Sequence, residues 1–502
     1  MILNISWDLL GIIWLAVRVI LIILAISSVL ILVRTFTLTR RRKPLAPVEG
    51  LPVDAAAIGE HLAAAIRCKT VPLDEQGTPD PAAFKQLHEL LEKLYPRVHA
   101  TLKLEKVMGY SLLYTWQGTR PELQPVQMMA HQDVVAAGPE TLSEWKYPPF
   151  EGRIVDGILW GRGSLDIKNQ VIGVLEAAEG LLAQGFRPER TILFAFGHDE
   201  ETGGQNGARN VAKLLRERGI RLAGVVDEGG GIVSGIIPRI KGDVALIGTG
   251  EKGYLTLEFT VQCAPGHSSA PPRQTAIGIL ARAMVRLEEK PFPPEIKSAR
   301  PLYWALGTAV PFTAQLAWAN PWLFGRRLER VFGNSDETKA YFRTTTAVTV
   351  FHAGDEDNTL PAEAKALVNF RLLPGMTIAG ACERVRRVID DERVQFKPVE
   401  GKANEVVGPS PVECPAYEGL SRAVQQIYGP IPEAPFVMLG GTDCGHYRDL
   451  SDYIYRFTPL VMDPSFSGLE HGIGERIPVA SMAKTVQFYA HLMQVWGTES
   501  MT

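Results

Sequence analysis

Residues 194–204 read FAFGHDEETGG, an apolar run that ends in His198, Asp199, Glu200 and Glu201 and then in two glycines. Adjacent glutamates at the end of a buried strand are costly unless their charge is used, either to hold a cation or to move a proton. The pattern recurs along the chain. PVQMMA (125–130) is followed by His131-Gln132-Asp133, GILWGRGSL by Asp166 and AGVV by Asp227, and HGIGE late in the chain offers His471. Two imidazoles and several carboxylates are the ligand set of zinc or a similar divalent ion, and a carboxylate shared between two ions offsets their mutual repulsion. Singly, an Asp at a strand end is more often a helix cap or turn former, and a lone His more often a surface group. Their recurrence at successive strand ends is what favours a metal centre. Five scattered cysteines without CxxC spacing leave any metal to His and carboxylates.

The elements that must position these groups are short apolar runs separated by helical stretches. PVQMMA, TILFAFG (191–197) and AGVVD (223–227) alternate with helices near 168–185 and 205–217, the pattern of a largely parallel sheet flanked by helices. In such α/β sheets the ligand site lies at the carboxyl ends of the strands, where the ionisable residues stand. A different texture starts at Gly253. YLTLEFTVQ alternates like a half-buried strand, QTAIGILARAMVRLEE reads as an amphipathic helix, and AVTVFHAG and KALVNFRLL as further strands. The fold class is therefore α/β, a mixed and largely parallel sheet with an inserted α+β domain. The expected divisions are a membrane helix with a basic flank (1–43), a Pro-rich linker (44–53), a catalytic segment (54–252), the inserted domain (253–375) and a second catalytic segment (376–502). Residues 291–345, rich in Trp and Pro, interrupt the insert as a long elaboration.

A chain of 502 residues with 46% hydrophobic and 21% charged residues is globular, and a net charge of −3 gives no electrostatic ground for a nucleic-acid partner. The run Leu9–Val33 is apolar except for Arg18 and two serines, long enough at about 1.5 Å per residue to cross a hydrocarbon core of ~30 Å. No Lys or Arg precedes Arg18, so an anchor is favoured over a cleaved signal. Arg34, Arg40, Arg41, Arg42 and Lys43 flank its C-terminal end, which by the positive-inside rule points to a cytoplasmic body.

HQDVV (131–135), GRGSLDIK (161–168), GHDEETGG (197–204), VVDEGG (225–230), GHSSAPP (266–272) and LEHGIGE (469–475) resemble, in this order, the motifs of the dizinc aminoacylase and carboxypeptidase family. That family includes glutamate carboxypeptidase, acetylornithine deacetylase and succinyl-diaminopimelate desuccinylase. The resemblance spans residues 54–496, and the anchor and the elaboration look most like the carboxypeptidase S branch, which also contains secreted N-fatty-acyl amino acid hydrolases and synthases. It implies a zinc-peptidase fold whose insert is a lid or dimerisation domain, and an extracytoplasmic face for the body. It also implies two Zn²⁺ ions per subunit, one held by His131 and Asp227, the other by Glu201 and His471, with Asp166 bridging and a cis Asp166–Ile167 bond.

Within that resemblance each residue has a physical rationale. Asp133, two residues after His131 on an extended chain, is expected to take the ring N–H of His131 and fix its tautomer. Glu201 holds metal while its neighbour Glu200, diverging on an irregular turn, takes a proton from the attacking water. His198 and Asp199 are expected to shape the turn, and the glycines to let the backbone pass near the metals. By resemblance His267 reaches the oxyanion, often in the partner subunit of a homodimer, and Asn358 and Arg371 bind substrate. The Arg371 fork suits a free carboxylate. GGTDCGH (440–446) is expected to approach substrate with backbone amides. The favoured function is a zinc-dependent hydrolase of peptides or N-acyl amino acids, beside a small-metabolite deacylase and a catalytically silent metal-binding scaffold.

Overall fold

The computed structural model describes residues 7–37, 45–74, 76–237, 240, 242–295, 300–332, 336–406 and 408–501. The basic flank at 40–43 lies outside the described residues. Four strands expected from the sequence or adjoining it form the centre of a ten-stranded sheet: Ile192–Gly197, Val126–His131, Gly224–Asp227 and Ile454–Arg456 lie side by side in that order. All their pairings are parallel. Antiparallel strands Ser111–Trp116 and Lys103–Val107 extend one side, and Asp243–Glu251 and Gly231–Ser234 the other.

Both faces of this centre are covered, which is why its strands read as unbroken apolar runs rather than alternating ones. Val126, Met128 and Ala130 face the core shared with helices Lys168–Ala183, Pro415–Tyr428 and Val479–Trp496. Met129, Leu193, Ala195 and Val225 face helix Ala208–Glu217 on the opposite side. Helix Ala55–Arg67 opens the body, its first amides capped by Asp54, whose Oδ1 accepts from Ala56 N at 3.0 Å and Ala57 N at 3.3 Å. Such a cap is worth ~0.5–2 kcal/mol.

Gly253 starts a second, four-stranded sheet ordered Thr345–His352, Glu363–Leu372, Gly253–Gln262, Gln395–Asn404. Leu255, Leu257, Phe259 and Val261 point from one face into a core with helices Ala276–Glu289 and Ile378–Ile389. The period of two predicts this strand. The small sheet extends past residue 375, where the sequence reading ends the insert, because Gln395–Asn404 pairs with Gly253–Gln262 and helix Ile378–Ile389 packs in the same core.

The aromatic elaboration differs in place from its expectation. Leu306, Val310 and Ala314 pack with Val233, Val244 and Ala434, so helices Arg300–Leu306 and Phe312–Ala319 sit on the edge of the large sheet rather than within the small one. Helix Trp7–Thr37 contains one stretch, Gly11–Thr37, long and apolar enough to cross a membrane.

Candidate metal centre and its surroundings

His131 is the last residue of strand Val126–His131 and is buried. Its Nε2 lies 3.0 Å from Asp166 Oδ1, 3.5 Å from Glu228 Oε1 and 4.0 Å from Glu200 Oε2. His471 Nε2 meets the other Asp166 oxygen, Oδ2, at 2.8 Å and Glu201 Oε2 at 3.0 Å. Asp166 thus stands between two imidazoles, one per oxygen. His131, Asp166 and Glu228 form one group whose ligand atoms all lie within 4.8 Å of one another, and Asp166, Glu201 and His471 form a second.

The sequence reading gives His131 the Asp227 carboxylate as its fellow ligand, whereas the acid whose oxygen stands 3.5 Å from His131 Nε2 is Glu228. The Asp227 carboxylate turns to the backbone, Oδ1 accepting from Glu228 N at 2.9 Å and Oδ2 from Cys444 N at 2.8 Å. Glu228, one residue past the strand end, has the reach to arrive beside His131 instead. The motif VVDEGG offers both acids, and only the direction of the chain as it leaves the sheet separates them.

Burial and charge crowding set the protonation of the cluster. Burial pushes the Glu228 carboxyl up to about 8 against the pull of His131, and it raises Glu200 well above the usual carboxylate range, with Glu228 adding to the effect. Hydrogen bonds to Asp166 and Glu201 raise His471 to about 10. Burial opposes ionisation of Asp166, yet the facing His131 and His471 hold its carboxyl below the ordinary value. The donors are nitrogen and oxygen only, Asp166 is common to both groups, and among the described residues buried Glu201 Oε1 has no hydrogen-bond partner. Divalent metal fits such a set, since it would supply the positive charge that crowded carboxylates favour.

Asp133 meets the His131 ring chiefly through its backbone rather than its carboxylate. His131 Nδ1 lies 3.0 Å from the Asp133 carbonyl oxygen and 3.4 Å from its Oδ1. The other carboxylate oxygen accepts from Glu201 N at 3.1 Å, so Asp133 ties the His131 strand end to the glutamate turn. Asp199 closes that turn, accepting from Asn206 N at 2.7 Å and Gly207 N at 2.8 Å. Gly204 has a φ of 64°, and a Cβ there would collide with the Asp443 carboxylate. The tight passage at the glycines is therefore against Asp443.

Sequence reasoning missed the pair that holds the two loops together. Glu475, fully buried, accepts from Gly163 N at 3.0 Å, Leu165 N at 2.7 Å and Asp166 N at 3.1 Å, and from Arg162 Nη1 at 2.7 Å. Arg162 Nη2 also donates to His471 O at 3.1 Å. Arg and Glu stand inside GRGSLDIK and LEHGIGE, so the signal was present as an opposite-charge pair in two motifs that must meet. His471 itself has a φ of 56°, rare for a residue with a side chain, and the Asp166–Ile167 bond is cis.

His267, Asn358 and Arg371 are carried by the insert. His267 is exposed and pairs with Thr359 in a short ladder, where Ser268 N donates to Asn358 O at 3.0 Å. Arg371 is half-buried, its guanidinium 4.5 Å from the centre of the Tyr254 ring, and burial lowers its pKa. Among the described residues no hydrogen bond or ion pair joins these three to the carboxylate–imidazole cluster. Cys444 and His446 turn to different partners, Sγ toward Thr442 Oγ1 at 2.9 Å and His446 Nε2 toward Gly203 O at 3.1 Å. In the GGTDCGH turn the Cys444 amide is spent on Asp227.

Residues 128–495 match Peptidase family M20/M25/M40. The chain is 38% identical over 487 residues to the N-fatty-acyl-amino acid synthase/hydrolase PM20D1 of Xenopus tropicalis, covering 95% of this chain and 94% of that protein. It is 32% identical over 486 residues to carboxypeptidase S of Saccharomyces cerevisiae, covering 87% and 84%. The fold is similar to the M20 family metallo-carboxypeptidase Sso-CP2 of Sulfolobus solfataricus, with a TM-score of 0.61 at 18% identity over 88% of this chain and 99% of that one. With its match running from the His131 strand to the last helix, the chain belongs to peptidase family M20/M25/M40 and is a metal-dependent amide hydrolase.

Proposed function

We propose that the protein is a membrane-anchored dizinc hydrolase that cleaves the amide bond of N-acyl amino acids, with a free carboxylate next to that bond. The observation that carries the metal half is Asp166, whose two oxygens face His131 at 3.0 Å and His471 at 2.8 Å. His131, Asp166 and Glu228 would hold one ion, and Asp166, Glu201 and His471 the other. Two zinc ions so held would polarise the scissile carbonyl and make water acidic enough to react at neutral pH. Glu200, whose Oε2 lies 4.0 Å from His131 Nε2 at the edge of the cluster, takes the proton of the attacking water and returns it to the leaving nitrogen. Asp133 keeps the His131 ring oriented, and the Arg162–Glu475 pair keeps Asp166 and His471 at their separation.

Arg371 recognises the substrate carboxylate. Its guanidinium is half-buried and has no carboxylate partner among the described residues, which supports a ligand of that charge. His267 stands on an exposed loop apart from the cluster, which favours service to the site of a second copy paired through the small sheet. The names of the PM20D1 relatives favour an N-fatty-acyl substrate over a short peptide. Retention of the N-terminal helix is supported by its packing on the body, where Asn320 Nδ2 lies 3.3 Å from Thr35 Oγ1. The test is hydrolysis of N-acyl amino acids of increasing chain length, as free acids and as amides, by zinc-loaded protein. Equal rates for acid and amide remove the carboxylate half.

A further inference from the structure

The N-terminal helix is covered along a single stripe. Ser27 and Ile31 are half-buried and Thr35 is buried, at spacing i, i+4, i+8, while Gly11–Ile26 is exposed all round. The cover is helix Phe312–Ala319 and the turn after it. Asn320 Nδ2 donates to Thr35 Oγ1 at 3.3 Å and lies 3.4 Å from Ile31 O, and the Phe36 and Phe312 rings are 6.1 Å apart. A span of about 20 residues fills the hydrocarbon core. Begun at Gly11, it ends near Leu30, so the contact with the body begins at Ser27 in the last turn of the span and continues through Ile31 and Thr35 as the helix emerges.

That height is set for the elaboration as well, and its outer surface suits it. Phe312, Trp322, Leu323 and Val331 are 48%, 60%, 51% and 46% exposed. Arg326, Arg327 and Arg330 are exposed on the same helix, Pro321–Phe332, against one acidic neighbour, Glu329, and Arg34 is exposed on the membrane helix. Trp322, Arg326 and Arg330 follow one another at i, i+4, i+8, and Leu323, Arg327 and Val331 do so in the next row, so rings, aliphatic side chains and guanidinium groups share one exposed face. Long arginine stems let such a mixed face lie in the lipid interface, with the rings among the upper acyl chains and the guanidinium groups reaching anionic phosphates.

We propose that the surface made by Phe312, Trp322, Leu323 and the Pro321–Phe332 arginines rests on the lipid bilayer beside the N-terminal helix. This rests on the reading of that helix as a membrane anchor. The surface is a second footing continuous with the first, and it holds the body against the membrane rather than on a free tether.

The experiment uses full-length protein reconstituted in vesicles of phosphatidylcholine and phosphatidylserine whose acyl chains carry bromine close below the headgroup. The fluorescence lost on Trp322→Phe isolates Trp322, and that lost on Trp14→Phe isolates a residue of the anchor. The proposal expects Trp322 emission to be quenched strongly by brominated lipid and weakly by aqueous acrylamide. Quenching of Trp322 by acrylamide alone puts the surface in water, and quenching by neither means that protein, such as a second copy, covers it; either overturns the proposal. If Trp14 also escapes the bromine, the anchor reading has failed; if Trp14 is quenched and Trp322 is not, only the second footing has.

Discussion

Glu200 and Glu201, neighbours in the chain, turn to different imidazoles: Glu201 Oε2 lies 3.0 Å from His471 Nε2, and Glu200 Oε2 lies 4.0 Å from His131 Nε2. In the proposed reaction this divergence would let Glu201 hold metal while Glu200 moves the proton. Glu200→Gln keeps the shape and deletes the proton acceptor, so it should retain zinc and lower kcat by ~10²–10⁴. Metal analysis and kcat measured on one preparation check this, and an unchanged kcat removes Glu200 from the role.

Glu228 and Asp227 separate by the same kind of experiment. Glu228→Ala should lose zinc occupancy. Asp227→Asn should keep it but lose stability, ~1–3 kcal/mol, because an amide cannot accept from both Glu228 N and Cys444 N with two oxygens. Metal content and denaturant unfolding of the two variants test the assignment, which is reversed if Asp227→Asn is the one that loses metal.

Arg371→Ala should leave zinc content intact and reduce kcat/KM for free-acid substrates at least tenfold, about 1.4 kcal/mol. The amide of the same substrate should be hydrolysed unchanged. A loss shared by acid and amide would make Arg371 a packing residue on Tyr254.

The pairing of His61 with Glu176, Nδ1 to Oε1 at 2.5 Å, raises the His61 pKa against the opposing effect of burial. A raised folded value means that the pair adds stability in full below about pH 6.5, and that this is lost as pH rises through the folded value. His61→Gln should therefore lower the unfolding midpoint more at about pH 6 than at about pH 9. Thermal scans at both values decide it, and an equal loss contradicts the pairing.

The central sheet was legible because its strands are buried on both faces and read as apolar runs, and the small-sheet strand Gly253–Gln262 because it alternates. The site was legible in part for the same reason: His131 and Glu201 follow such runs, whereas Asp166 comes six residues after the short strand Ile158–Trp160 of a separate three-stranded sheet. What stayed hidden depends on side-chain direction or long-range contact. Asp227 and Glu228 are adjacent acids of similar chemistry, and only the exit of the chain from the sheet decides which faces His131. Glu475 acts on residues more than three hundred positions earlier, and no local pattern reports that pairing. The extension of the small sheet to Asn404 was missed because KPVE lacks the alternation of a buried strand, its side chains being half or fully exposed.

The central claim is that two zinc ions, bridged by Asp166, are needed for amide hydrolysis. Its most direct test is the activity of chelator-stripped protein on an N-acyl amino acid as zinc is returned stepwise. The account predicts that activity stays low and then rises to a plateau at two equivalents per chain. Full activity without zinc, or a plateau at one equivalent, would contradict it.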